Sequence, residues 1–201
     1  MAFPMEHALR RSMLLIRGRP ESSDHLQDIL FDTAIKYTHT GFRVLFFTQK
    51  PLERVANSIR EQFSDLFKMI TFVYVQTLDA ALKRLLDLQR WTNCIPGLII
   101  VESFDLLAPS NANYMQPNKQ DFQRVLFLST LADTVRTVSI NQKGTCNCII
   151  TTSNHGSTMA TVPFELFYRK HNVLDVEHVK ESGDILSIMM ENEHSIDNNL
   201  P

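Results

Sequence analysis

Residues 18–25, GRPESSDH, are the stretch of this chain best placed to meet a phosphate group, because they follow an apolar run (Met13 to Ile16) and precede a segment of helical periodicity. A phosphate-binding turn between a strand and a helix needs glycines so that successive N–H groups can turn inward, a lysine for the outer phosphates, and a hydroxyl for magnesium. Gly18 and Pro20 keep the start of such a turn. Glu21, Ser22 and Ser23 stand where the later glycines would be, and Asp24 and His25 take the lysine and hydroxyl positions. A carboxylate about 4 Å from a phosphate charge repels it by roughly 1 kcal/mol even with full water screening. Gly18, Pro20, Ser22 and Ser23 are thus the candidate contacts of a degenerate phosphate loop, and no catalytic residue is assigned. The same eight residues also suit an ordinary strand-to-helix turn capped by Ser23 or Asp24, and spacing alone favours that plainer reading. Neither reading predicts nucleotide hydrolysis.

A hydrolysing site of this kind also needs an acidic group at the end of a later strand, to hold magnesium through water. Glu102 closes the apolar run Gly97 to Val101 and occupies that place, although, with no lysine and no loop hydroxyl, a solvated strand-end carboxylate is the favoured reading. Thr151, Thr152, Ser153 and Asn154 cluster after another apolar run, where they could contact a phosphate or satisfy strand-end backbone groups. Cys146 and Cys148 share one face of a strand with no second ligand pair at metal spacing, and the seven histidines are scattered. No metal site is expected.

The elements that would position these groups follow from periodicity. Met13 to Ile16 and Gly97 to Val101 are short, continuous apolar runs, as strands covered on both faces require. Arg43 to Thr48, Ile70 to Val75 and Cys146 to Thr152 are short runs rich in β-branched and apolar residues that read as further strands. Between them, stripes such as Leu26, Ile29, Leu30, Ala34 and Tyr37, or Leu78, Ala81, Leu82 and Leu85, recur at helical spacing. Leu52, Val55, Ile59 and Phe63 make a third stripe after Pro51, and Phe122, Val125, Leu126, Ser129 and Ala132 a fourth. Residues 108–120 read as a surface loop, Asn172 to Val179 with Asp184 to Met190 as a C-terminal antiparallel hairpin, and 191–201 as an unstructured tail. The expected fold is α/β: one domain over 1–190 with a mainly parallel central sheet and helices on both faces. Ligands of such sheets lie beyond the carboxyl ends of the strands, which directs attention to 18–25, Thr48 to Pro51, Glu102 and Thr152 to Asn154.

Composition narrows the function classes. A net charge of −2 on 201 residues removes any global attraction to nucleic acid, so contact with DNA would have to be local. The candidates are Arg17 with Arg19, Lys83 with Arg84, and Arg169 with Lys170. Phe164, Phe167 and Tyr168 beside the last pair could stack bases, though a core segment explains them more simply. Three cysteines cannot form a fully paired framework, which points to a reducing compartment. No signal-like or membrane-length apolar run is found, so a soluble protein without membrane contact is expected.

With these segments in view, the chain resembles the RecA-like recombinase paralogs that partner a SWIM-type zinc-finger protein in metazoan Shu-type complexes. The likeness lies in RVLFFTQKPLERV (Arg43 to Val55) and PGLIIVE (Pro96 to Glu102), and in the order of segments from about Met13 to Thr152. It implies a RecA-like P-loop-type core and a nuclear role in homologous recombination and meiosis. Implied partners are the SWIM-type zinc-finger protein, recombinase filament components and single-stranded DNA. Members with an intact phosphate loop are described as DNA-stimulated ATPases; GRPESSDH and Glu102 depart from that pattern, so ATP is expected, if bound, not to be hydrolysed. Two alternatives stay open: an ATPase-inactive RecA-like subunit of an Elongator-type tRNA-modifying complex, and a weak ATPase whose phosphate grip comes from Ser22, Ser23 and backbone N–H groups.

Overall fold

A computed structural model describes residues 12–19, 23–51, 64–88, 90–91, 95–108, 117–153, 168 and 172–197. Strand β1 (Met13–Arg17) leads into helix α1 (Ser23–Thr38), followed by β2 (Arg43–Thr48), the short α2 (Ser64–Phe67) and β3 (Ile70–Tyr74). Then come α3 (Leu78–Leu88), β4 (Pro96–Val101), a 3-10 turn (Phe104–Leu106), α4 (Pro117–Gln142) and β5 (Asn147–Thr152). The chain returns through β6 (Val173–Asp175) and a second 3-10 turn to α5 (Ser182–Asp197). The six strands form one sheet in the order β3-β2-β4-β5-β1-β6, and every pairing is parallel.

Alternation along each strand explains why these runs are mostly apolar. Met13 and Leu15 of β1, Leu45 and Phe47 of β2, Ile99 and Val101 of β4, and Cys148 and Ile150 of β5 face one core. Leu14 and Ile16, Val44 and Phe46, Leu98 and Ile100, and Ile149 face the other. A strand buried on both sides has no solvent face on which to place polar residues. The first core is covered by α3, through Leu78, Ala81, Leu85 and Leu88, and by α4, through Phe127, Leu128, Leu131 and Val135. The second is covered by α1 and by α5, whose Ile185 and Met189 lie one helical turn apart. The α/β class, the parallel sheet and helices on both faces are therefore as the periodicity implies.

Three expectations need correction. The C-terminal hairpin is absent: Val173–Asp175 pairs parallel to β1, and residues 184–190 belong to α5 rather than to a strand. Glu181-Ser182-Gly183 is a helix start and not a turn, because the Asp184 carboxylate accepts the N–H groups of Lys180 and Glu181 and so caps the first turn. This helix continues to Asp197, into the span assigned to an unstructured tail. The surface loop expected over 108–120 is shorter at its far end, since α4 begins at Pro117, where a missing N–H costs a helix nothing. The helix expected after Pro51 over Leu52 to Phe63 lies outside the described residues.

Polar contacts bind the C-terminal unit to the sheet. Asn172, fully buried, donates its amide to the Met13 carbonyl at 3.0 Å. Lys36 of α1 donates to the Ser182 hydroxyl at 2.8 Å, and that hydroxyl donates to Asp32. A buried polar group with such partners fixes geometry that apolar contact alone leaves loose. The end of β1 is thus held between β5 and β6.

Candidate functional site

The register of the parallel ladders brings three strand ends to one level. Arg17 stands opposite Thr152, and Val101 opposite Ile150, so Gly18, Glu102 and the Thr151-Thr152 pair border a common cleft. Because β5 lies between β1 and β4, the turn after β1 and the acidic end of β4 are two strand spacings apart, about 10 Å. Leu26, Gln27 and Leu30 of α1 form the remaining wall with Arg19, Ser103 and Ser153. The cleft's free volume is about 10 Å³, the room needed by roughly one water molecule.

Gly18 is required here by close approach. Its N–H donates to the Thr152 carbonyl at 2.6 Å, and a Cβ on it would lie 2.5 Å from that same oxygen. The backbone after β1 is therefore pressed against the end of β5. Pro20 and Ser22 lie outside the described residues, Ser23 opens α1, and both Asp24 and His25 are exposed. Asp24 in the first turn of α1 complements the positive end of the helix dipole, as an ordinary helix start would.

Glu102 is not a solvated carboxylate. Its backbone N–H extends the ladder by donating to the Phe47 carbonyl at 3.0 Å, and its side chain accepts the Gln27 amide at 2.8 Å. Burial pushes its carboxyl above the ordinary glutamate value, and hydrogen bonding to Thr48 and Gln27 offsets only part of that rise. A carboxyl raised in the folded state contributes its full stability below the unfolded value and loses it as pH climbs through the folded one. Glu102→Gln, which keeps the contact with Gln27 but carries no charge, should therefore melt higher than the parent at pH 8. The expected gain is roughly 2–4 °C, the usual scale of a single-site change in a chain of this length. It should vanish at pH 4, and thermal melts between those limits check it; a variant less stable than the parent at pH 8 contradicts the assignment.

Beyond Glu102, a polar cluster joins the ends of β4 and β5. Ser103 is left-handed (φ 48, ψ 51) and donates its N–H to the Thr151 hydroxyl at 2.9 Å. Ser153 donates its hydroxyl to that of Ser103 at 2.8 Å and its N–H to Asp105 at 2.7 Å. Thr151 and Thr152 are buried at the cleft's edge, where the Thr151 hydroxyl accepts the Ser103 N–H and the Thr152 carbonyl accepts the Gly18 N–H; Asn154 lies outside the described residues. The loops after β2, β3 and β4 are tied in as well, through Gln49 to the Leu106 carbonyl and Gln76 to the Gln49 carbonyl, each at 2.7 Å.

The basic candidates stand on separate elements. Arg17 is exposed at the end of β1, and Arg19 ion-pairs with Glu177 at 2.6 Å, where the chain leaves β6. Lys83 and Arg84 lie exposed on α3, which connects β3 to β4, whereas Arg17 and Arg19 stand at the end of β1, on the far side of β5 from those strands. Arg169, Lys170, Phe164 and Phe167 lie outside the described residues. Tyr168 belongs to the first core at 2 % exposure, with burial pushing its hydroxyl upward, so it offers no stacking surface. Cys146 and Cys148 are buried, and burial pushes both thiols upward, away from the reactive thiolate.

Among the described residues, these side chains do not fit a magnesium-bound triphosphate. If 18–25 is read as a phosphate loop, the Asp24 carboxylate stands where that reading needs a lysine, and Gln27 holds the acid that would orient the metal's water. Gln27 is the cleft residue that motif reading misses. Its signal in the sequence is weak, a polar side chain between Asp28 and the buried Leu26, one turn before Leu30 and Phe31. Among the described residues no group of three His, Cys, Asp or Glu is arranged to hold a metal, and no helix is long and apolar enough to cross a membrane. No protein-family model matches the chain, and no curated protein matches it.

Proposed function

We propose that this chain is a noncatalytic RecA-like subunit of a Shu-type complex. It supports homologous recombination and double-strand break repair in the nucleus by binding a SWIM-type zinc-finger partner and single-stranded DNA. The resemblance in Arg43 to Val55 and Pro96 to Glu102 supplies the family. The observation that carries the noncatalytic part is the engagement of Glu102 by Gln27 at 2.8 Å, beside a first helical turn that carries Asp24 in place of a cation. A carboxylate held by its own protein is a poor ligand for water-coordinated magnesium, and without a cation the triphosphate charge has no side-chain counterpart. What remains is a parallel scaffold with exposed basic groups, Arg17, Lys83 and Arg84, for phosphate backbone contact, while Arg19 is engaged by Glu177.

The test is co-expression with a SWIM-type zinc-finger protein, followed by pull-down and a phosphate-release assay on the purified complex with and without single-stranded DNA. A stable 1:1 complex with phosphate release at background is the expected result. Steady release of phosphate from ATP by the pure chain or complex would sink the noncatalytic reading, and failure to form the complex would sink the partner. Assembly of an RNA-dependent ring would instead place the chain with Elongator-type subunits.

A further inference from the structure

Helix α1 leaves the end of β1 and crosses the second core toward β2, with Leu26, Ile29, Leu30 and Ala34 buried beneath it. That path carries its second turn over the gap between the turn after β1 and the end of β4. Gln27 sits on this turn next to the buried Leu26, with its amide aimed at Glu102 across 75 residues of sequence. On the other side, the buried Thr48 at the end of β2 is the second side-chain partner of Glu102. Gln27 and Glu102 thus span the cleft in which little more than one water has room.

We propose that Gln27 is an internal gate: its amide occupies the approach to Glu102 and excludes a metal-bound nucleoside triphosphate independently of the altered phosphate loop. The inference rests on reading 18–25 as a degenerate phosphate loop and extends it to a second, separate block. An amide donor suits this role because it satisfies a buried carboxylate without bringing a charge. Removing the Gln27 donor leaves Glu102 with Thr48 as its remaining side-chain partner, and a cation or water then competes for the vacated oxygen. Restoring the loop by itself leaves this gate in place.

The test compares two forms of the full chain for binding of a fluorescent ATP analogue with magnesium. One carries Ser23→Gly, Asp24→Lys and His25→Thr, and the other adds Gln27→Ala. With Gln27 present, binding should stay within about threefold of the parent chain; with Gln27→Ala added, it should tighten at least tenfold. Equal binding in the two forms, weak or strong, overturns the proposal. A second measurement avoids the multiple substitution: in the parent background, Gln27→Ala should raise carbodiimide labelling of Glu102 at least fivefold at neutral pH, and unchanged labelling also overturns it. Pull-down of the zinc-finger partner should be unaffected by Gln27→Ala, so the fate of the gate and that of the proposed function are read separately.

Discussion

Replacing Phe104 by Ala should lower unfolding stability by about 3–5 kcal/mol, the range for removing a fully buried aromatic side chain. Phe104 has no exposed surface and stacks on Phe127 of α4 with ring centroids 5.2 Å apart. Its position makes the loss more than a cavity. It begins the 3-10 turn directly after the left-handed Ser103, so it anchors the turn that presents Glu102, Ser103 and Asp105 to the end of β5. Without the ring, the contacts from Ser103 to Thr151 and from Ser153 to Asp105 lose their support. Urea denaturation of the variant measures the loss directly. Leu106→Ala, two residues on and 53 % exposed, is the control and should stay within about 0.5 kcal/mol of the parent. Comparable losses at the two positions would mean that the turn is not held by the core.

The second large effect belongs to Gly18. Substituting Ala introduces a Cβ 2.5 Å from a backbone oxygen, a separation at which the backbone itself has to move. Moving it breaks the hydrogen bond from Gly18 to Thr152 and shifts the end of β1 away from β5. Forced repacking of this kind costs about 1–3 kcal/mol. The same substitution at Gly144, where the nearest atom is 3.9 Å away, should be close to neutral. If Gly18→Ala denatures at the same urea concentration as Gly144→Ala, the close approach between β1 and β5 is wrong. This expectation separates two reasons for a glycine after the first strand, since a glycine kept only for phosphate contact would tolerate Ala when no phosphate is bound.

Much of the architecture was legible because its causes are local. Five strands declare themselves as short runs dominated by apolar, β-branched and aromatic residues, and α1 and α3 as stripes at helical spacing, since burial imposes those patterns residue by residue. The end of the chain was misread for the same reason. Ile185, Leu186, Ile188, Met189 and Met190 are too dense in apolar groups for period alone to separate strand from helix, and Ser182-Gly183 looks like a turn. What decides is the Asp184 carboxylate capping the helix start, together with the packing of Ile185 and Met189 on the second core. Val173–Asp175 could not be oriented from its sequence either, because a three-residue edge strand carries no signature of parallel pairing.

The altered loop and the acidic strand end are likewise written in order along the chain: Asp24 and His25 at the expected offsets from Gly18, and Glu102 after Val101. Sequence by itself determined the kinds of groups at the strand ends and the α/β alternation that carries them there. Only the tertiary structure decided what those groups do to each other: that β5 inserts between β1 and β4, that Gly18 meets Thr152, that Arg19 turns to Glu177, and that Gln27 reaches Glu102. Periodicity reports the face a residue presents, which depends on its near neighbours. A hydrogen bond between residues 75 positions apart depends on strand order and register, which emerge only when the whole sheet is assembled.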